Sequence, residues 1–259
     1  MKRICFLLVF ACLAVRPVFA QSFSLSLGPS LPIGEYASKN GNDQASGLAK
    51  LGGLGEISYQ HPVGGGRFGW IASLRYRLNE VDGSASIQPL ETEFPGFQWS
   101  TNHSYWRTAA LLVGGYYRLP LTKSIDLLGY LQLGVAETWL PKQSILGLRD
   151  SVGFGPTDLV EGHLLKGHAT AFTASGAVGV RYHLNRRWSL LGRLGYWYVE
   201  PTFHNATTTV IYAQHLIIPG ITNPNNAEEI SEYTSSRNYA QHMIDVDLTV
   251  GVGLALGKR

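Results

Sequence analysis

The chain of 259 residues is poor in cysteine, in methionine and in charge, with 2 Cys, 2 Met and only 15% charged residues. Both cysteines, Cys5 and Cys12, fall within the first twenty residues, so no disulfide framework can hold the rest together. Beyond Ala20 no stretch stays apolar over the roughly 20 residues that a membrane helix needs. No Pro/Ser-rich joint or charge run separates two compositions, so residues 21–259 read as one domain. Excess positive charge is missing as well. Lys2, Arg3 and Arg16 account for the formal +3, and setting these three aside leaves 18 basic residues against 18 acidic ones. A nucleic-acid partner thereby loses its electrostatic basis.

What is present begins with an export pattern. Lys2 and Arg3 precede an apolar run from Ile4 to Val15, followed by Arg16-Pro17 and the small-residue end Val18-Phe19-Ala20. A charged, then apolar, then small-residue order reads as a cleaved signal peptide over residues 1–20.

After it, short segments alternate large apolar with small or polar residues. The clearest is the last, where Ile244, Val246, Leu248, Val250, Val252, Leu254 and Leu256 share one parity and Asp245, Asp247, Thr249, Gly251, Gly253 and Ala255 the other. Side chains of a strand point alternately to its two faces, so this is one apolar and one small or acidic face. The same division sets Phe172, Val178, Val180 and Tyr182 against Thr173, Ser175, Gly179 and Arg181, and Phe68, Trp70, Leu74 and Tyr76 against Ser73, Arg75 and Arg77. Comparable segments around Phe23–Leu27, Leu51–Gln60, Ala109–Tyr117, Leu127–Thr138 and Trp188–Tyr198 bring the expected number of strands to eight.

The connections alternate in length. Long ones span Pro32–Gly47, Asp82–His103, Leu140–Lys166 and Pro201–Tyr239, and short ones span His61–Gly66, Pro120–Ser124 and Asn185–Arg187. Within lipid only a helix or a closed barrel satisfies its backbone, and bacterial outer-membrane barrels pair short periplasmic turns with long extracellular loops. A soluble β-sandwich would alternate too, but its exposed face would be rich in Lys and Glu. Here the second face is Gly, Ala, Ser and Thr. The expected fold is therefore an eight-stranded antiparallel up-and-down transmembrane β-barrel in the outer membrane of a Gram-negative cell, with both termini periplasmic. The strips Thr207–Tyr212 and Leu216–Ile218 leave room for one more hairpin and ten strands.

An eight-stranded barrel is just wide enough for side chains to fill. The inward parity carries Glu56, Arg75, Arg77, Arg118, Arg181, Arg193, Asp245 and Asp247. A lone buried charge is costly, so these groups are expected to pair as a structural plug rather than line an ion path. Tyr59, Phe68, Tyr117, Tyr182 and Trp188 cluster beside short turns, whereas Tyr105, Trp106, Trp139 and Tyr198 lie beside long loops. Aromatic residues prefer both membrane interfaces, so these form the expected girdles.

The first strand ends Gly28-Pro29-Ser30-Leu31-Pro32-Ile33-Gly34-Glu35-Tyr36, and the last reads Asp247-Leu248-Thr249-Val250-Gly251-Val252-Gly253-Leu254. Both resemble the corresponding strands of the porin-like outer-membrane β-barrel domains of OmpA or OmpX size. The resemblance implies outer-membrane lipid, lipopolysaccharide and the barrel-assembly machinery as partners, and a monomer. Many such barrels end in an aromatic residue, whereas this chain ends Leu256-Gly257-Lys258-Arg259. Either the assembly signal differs or the aliphatic face of the last strand is what is recognised.

No chemistry stands out. The loop histidines His103, His163, His168, His204, His215 and His242 lack the HxxxH or HExxH spacing of a metal site, and no metal or cofactor is expected. Ser104 beside His103, and Asp158 and Glu161 near His163, are sequence neighbours with no GxSxG around them. A structural or surface-interaction role through the long loops is therefore expected. A narrow channel and a lipid A-modifying enzyme are the alternatives.

Overall fold

The computed structural model describes residues 21–256 apart from 42, 44, 65, 152–154, 165–166 and 216–227. The segment read as a signal, 1–20, and the strip Leu216–Ile218 lie outside the described residues. In chain order, strand β1 (Ser22–Ile33) is followed by a 3-10 turn (Gly34–Ala37), β2 (Ala49–Val63) and β3 (Phe68–Val81). Helix α1 (Gly83–Glu93) precedes β4 (Gln98–Thr101), β5 (Tyr105–Pro120), β6 (Ile125–Trp139), β7 (Gln143–Ser151) and β8 (Gly155–Leu164). The chain continues through β9 (His168–His183), β10 (Trp188–Val199), β11 (Thr202–His215), β12 (Glu228–Ala240) and β13 (Met243–Ala255).

Eight of these strands close a barrel in the order β1-β13-β10-β9-β6-β5-β3-β2. Each pairs antiparallel with the next barrel strand in the chain, and β1 meets β13 from Ser22 opposite Ala255 to Ile33 opposite Ile244. Closure leaves the barrel no free edge, so every strand finds its ladder partner within the ring. Among the described residues no helix is long and apolar enough to cross a membrane.

The polarity of this barrel is the reverse of a soluble domain's. Leu131 is 76% exposed and Val250 68%, while Glu56 and Arg77 are each 2% exposed. An outer wall of Leu, Val, Phe and Tyr belongs in hydrocarbon, and the buried charges face the lumen. Some of the small inward residues are required sterically. A Cβ at Gly114 would sit 1.9 Å from the Leu131 carbonyl oxygen, and one at Gly134 the same distance from that of Leu111. Strands β5 and β6 can coil this tightly only because no side chain intervenes.

The long connections are where the structure departs from the sequence reading. Four were expected as loops, but three of them fold. Strands β4, β7, β8, β11 and β12 form a second sheet in the order β12-β11-β8-β7-β4. The Thr207–Tyr212 strip does build a hairpin, with Thr207 opposite Ser236 and Tyr212 opposite Ser231. That hairpin joins β8 instead of the barrel, so the barrel keeps eight strands. Helix α1, also unexpected, starts because Asp82 caps it, accepting from the Ala85 amide.

Candidate functional site

The lumen is filled in layers. At the end that carries the long connections, Tyr36, Trp106, Leu140, Trp197, Phe203 and Met243 pack into one buried cluster. Trp106 stands 6.0 Å from the Tyr36 ring and 6.2 Å from that of Phe203, and it donates from Nε1 to the Gly47 carbonyl at 2.8 Å. The sequence reading had placed Trp106 with the interfacial aromatics. Strand parity explains the correction: Tyr105 faces outward, so its neighbour must face in.

Beneath this layer lies the ion-pair network. Glu56 on β2 accepts from Arg75 on β3 at 2.7 and 2.9 Å and from Arg193 on β10 at 2.6 Å. Asp247 on β13 takes Arg77 at 2.8 Å and Arg75 at 3.4 Å. Arg77 also pairs with Asp245, which accepts from the Ser30 hydroxyl at 2.9 Å. The Arg77 guanidinium stacks 4.0 Å from the centroid of Trp197, joining the ionic layer to the apolar one above. Three arginines face three carboxylates, so the layer is neutral as a whole.

The other two arginines named from the sequence lie apart from this network. Arg181 hydrogen-bonds the Gln60 side chain. Arg118, its side chain 30% exposed at the short-turn end, stands 3.9 Å from Asp126. Asp126 itself is 4% exposed and holds His183 at 2.8 Å. The sequence reading missed Asp126 because it began the segment at Leu127, although the parity of Leu128 and Tyr130 would have placed it inward. Between the two polar groups, Ile71, Tyr116, Leu128 and Tyr130 form a second apolar cluster.

Apart from Trp106, the aromatics expected at the interfaces take outer positions. At the short-turn end the Phe68 ring lies tilted 4.8 Å from that of Tyr117, and Tyr59 lies between Phe23 at 5.0 Å and Trp70 at 5.2 Å. Tyr182 and Trp188 are exposed there too, while at the other end Tyr105 is exposed and Trp139 and Tyr198 are half-buried. The Tyr198 hydroxyl donates to Glu200 at 2.7 Å.

Above the barrel, Asp82 ties α1 to its surroundings. Burial favours its neutral form, but the Ser84 hydroxyl at 2.6 Å, Lys50 at 3.3 Å and the Ala85 amide outweigh that and hold its pKa down at about 2. Burial likewise pushes Tyr239 on β12 up to about 12. The neighbours flagged as catalytic candidates do not cooperate. Ser104 is 4% exposed with a buried hydroxyl that bonds nothing, while His103 is out in solvent on Glu80 at 3.0 Å. His163 pairs with Glu161 at 2.9 Å, and the Asp158 side chain lies outside the described residues. Among the described residues no three His, Cys, Asp or Glu side chains gather as a metal site.

An apolar cavity lies on the second sheet. A cavity of about 350 Å³ opens between the segment from α1 to β4 and the strands β7, β8 and β11. Phe94, Phe97 and Trp99 form its aromatic wall, with Phe97 and Trp99 stacked at 5.4 Å.

No family model and no curated protein matches the sequence. Several solved structures are similar to it over nearly the whole chain. The Neisserial surface protein NspA is 9% identical, covers 90% of this chain and 96% of its own, and gives a TM-score of 0.45. A major outer membrane protein from Thermus thermophilus is 13% identical over 92% of this chain and 100% of its own, with a TM-score of 0.44. Ail, the attachment invasion locus protein of Yersinia pestis, is 10% identical with the same two coverages and a TM-score of 0.41. With its closed eight-stranded meander, apolar outer wall and polar lumen, the chain has the fold of the small outer-membrane β-barrels.

Proposed function

We propose that the protein sits in the outer membrane as a closed barrel and works at the cell surface, presenting its second sheet for interaction. The observation that carries this reading is the filling of the lumen. A neutral layer of three arginines and three carboxylates lies beneath a packed layer of aromatics, leaving the barrel as a rigid stem. Chain length outside the stem is spent on ordered strands, and recognition is commonly carried by surface segments on a rigid scaffold. Both termini then face the periplasm, and the upper rim meets lipopolysaccharide.

Planar-bilayer recording of the refolded protein tests the reading. No stepwise conductance is expected, either from the native chain or from Asp247→Ala, which loosens the ionic layer without removing the aromatic one. Regular open-channel steps from the native protein would replace the surface reading with a channel. Labelling of intact cells supplies the second arm: an epitope inserted after the exposed Gly96 should be reached from outside.

A further inference from the structure

The near balance of charge along the chain is an average over two unlike ends. Arg67, Arg118, Lys123, Arg186 and Arg187 all lie in or beside the three short turns, and of the 18 acidic residues only Asp126 joins them there. Asp126 is already taken. It is 4% exposed, holds His183 at 2.8 Å and stands 3.9 Å from Arg118. Arg67, Lys123, Arg186 and Arg187 are exposed, and among the described residues none of the four forms an ion pair.

The turns are built to hold these cations at their tips. Thr122 Oγ1 accepts from the Ser124 and Ile125 amides at 3.1 and 3.0 Å, which fixes the turn around Lys123. Asn185 Oδ1 accepts from the Arg187 and Trp188 amides at 2.8 and 2.9 Å and does the same for Arg186 and Arg187. The Arg67 carbonyl accepts from the Arg118 amide at 2.6 Å, tying the first turn to β5. Around the ring the three turns follow one another, because β9 pairs with β6 and β5 with β3. The cations therefore form an arc along the rim. At each turn an outward aromatic adjoins an arginine in sequence: Phe68 beside Arg67, Tyr117 beside Arg118 and Trp188 beside Arg187. Aromatic residues mark the boundary between hydrocarbon and headgroups, and a strand advances only about 3.3 Å per residue, so the arc lies at headgroup depth. An arginine fork or lysine ammonium held there without a carboxylate matches a phosphate. A protein partner would call for a compact patch with an apolar centre, which an arc of turn tips does not offer.

We infer that the short-turn rim binds the phosphate headgroups of anionic phospholipid in the leaflet it faces, with Arg67, Lys123, Arg186 and Arg187 as the donors. The inference rests on the reading of the barrel as membrane-embedded and names a lipid class for the end opposite the second sheet.

The test uses the full chain refolded into phosphatidylcholine vesicles that carry spin-labelled phosphatidylglycerol or spin-labelled phosphatidylcholine. Electron paramagnetic resonance reads the fraction of label held motionally restricted against the protein. Phosphatidylglycerol is expected to associate about fivefold more strongly at low salt, the weight of one cation near a charged surface. That preference should vanish at about 1 M salt, where the screening length falls to about 3 Å. The variant carrying Arg67→Gln, Lys123→Gln, Arg186→Gln and Arg187→Gln should restrict both labels equally with heat-modifiable migration intact, whereas Lys142→Gln at the opposite rim should change nothing. If the fourfold variant does not insert, Arg186→Gln with Arg187→Gln should still lower the preference by about half. A preference that survives these substitutions or high salt would overturn the assignment. Equal restriction of both labels by the native chain would overturn it in favour of an acidic soluble partner. No restricted label of either kind would overturn the membrane reading beneath it.

Discussion

The barrel and the sheet above it are made of the same antiparallel ladder, yet they bury opposite things. The barrel buries charge and exposes Leu131, Val178 and Val250, because its outer solvent is hydrocarbon and its inside is the only place polar groups can meet. The sheet gathers Ile145, Val160 and Val210 under Phe94, Phe97 and Trp99, as a sheet surrounded by water would. One is closed and needs no partner. The other is open-edged, with a cavity on its covered face. Solvent, rather than strand chemistry, decides which parity faces in.

Mutations that break the ionic layer should have the largest effect. Glu56→Gln removes the carboxylate shared by Arg75 and Arg193. Uncompensated buried charge costs about 3–5 kcal/mol, which should appear as a lower urea midpoint for the heat-modifiable form in lipid vesicles. An unchanged midpoint would mean that water already solvates that layer. Next comes the lipid face. Val178, 59% exposed on the outer wall, should cost about 2–4 kcal/mol as Val178→Arg near the bilayer midplane. A neutral result would argue that this wall does not face hydrocarbon.

In the sheet the same measurements should register little. Asp82→Ala removes the cap of α1, worth about 1 kcal/mol, and faster amide exchange confined to residues 83–93 is the expected sign. Because its folded pKa lies at about 2, below the carboxylate's usual value of about 4, this contribution is complete above about pH 4 and is lost as pH falls through about 2. Acid should therefore free the helix first. The smallest effect on the barrel is expected from replacing residues 207–236 by an Asn-Gly turn, since Ala206 and Arg237 already face each other across the hairpin. Heat-modifiable migration should survive. If the barrel fails to fold, the two regions are one cooperative unit and the contrast drawn above is wrong.

Much of the barrel was readable without coordinates. Period-two alternation is a local property, so the outward set Phe172, Val178 and Val180 and the inward set Thr173, Ser175 and Arg181 follow from one strand taken alone. The same parity also picks out inward charges, but not which of them meet. Glu56 lies beside Arg75 through the register of β2 with β3, yet it meets Arg193 only because the barrel closes and brings β10 across the lumen. Arg118 and Arg181 share that parity and are still excluded from the network, because they sit too far toward the short turns.

The second sheet was far less legible. Its strands come from three connections separated by barrel segments, and partners such as Ile145, Gly162 and Val210 carry no local signature of one another. Trp99 and Gly147 mean little singly, and only their pairing makes a wall. Membrane class, strand number and facing thus lay in the linear pattern, because lipid imposes the same rule on every strand. The filled lumen, the folded cap and the cavity at Gly162 arose only on closure, because each depends on residues that the chain keeps apart until the ring and the sheet bring them together.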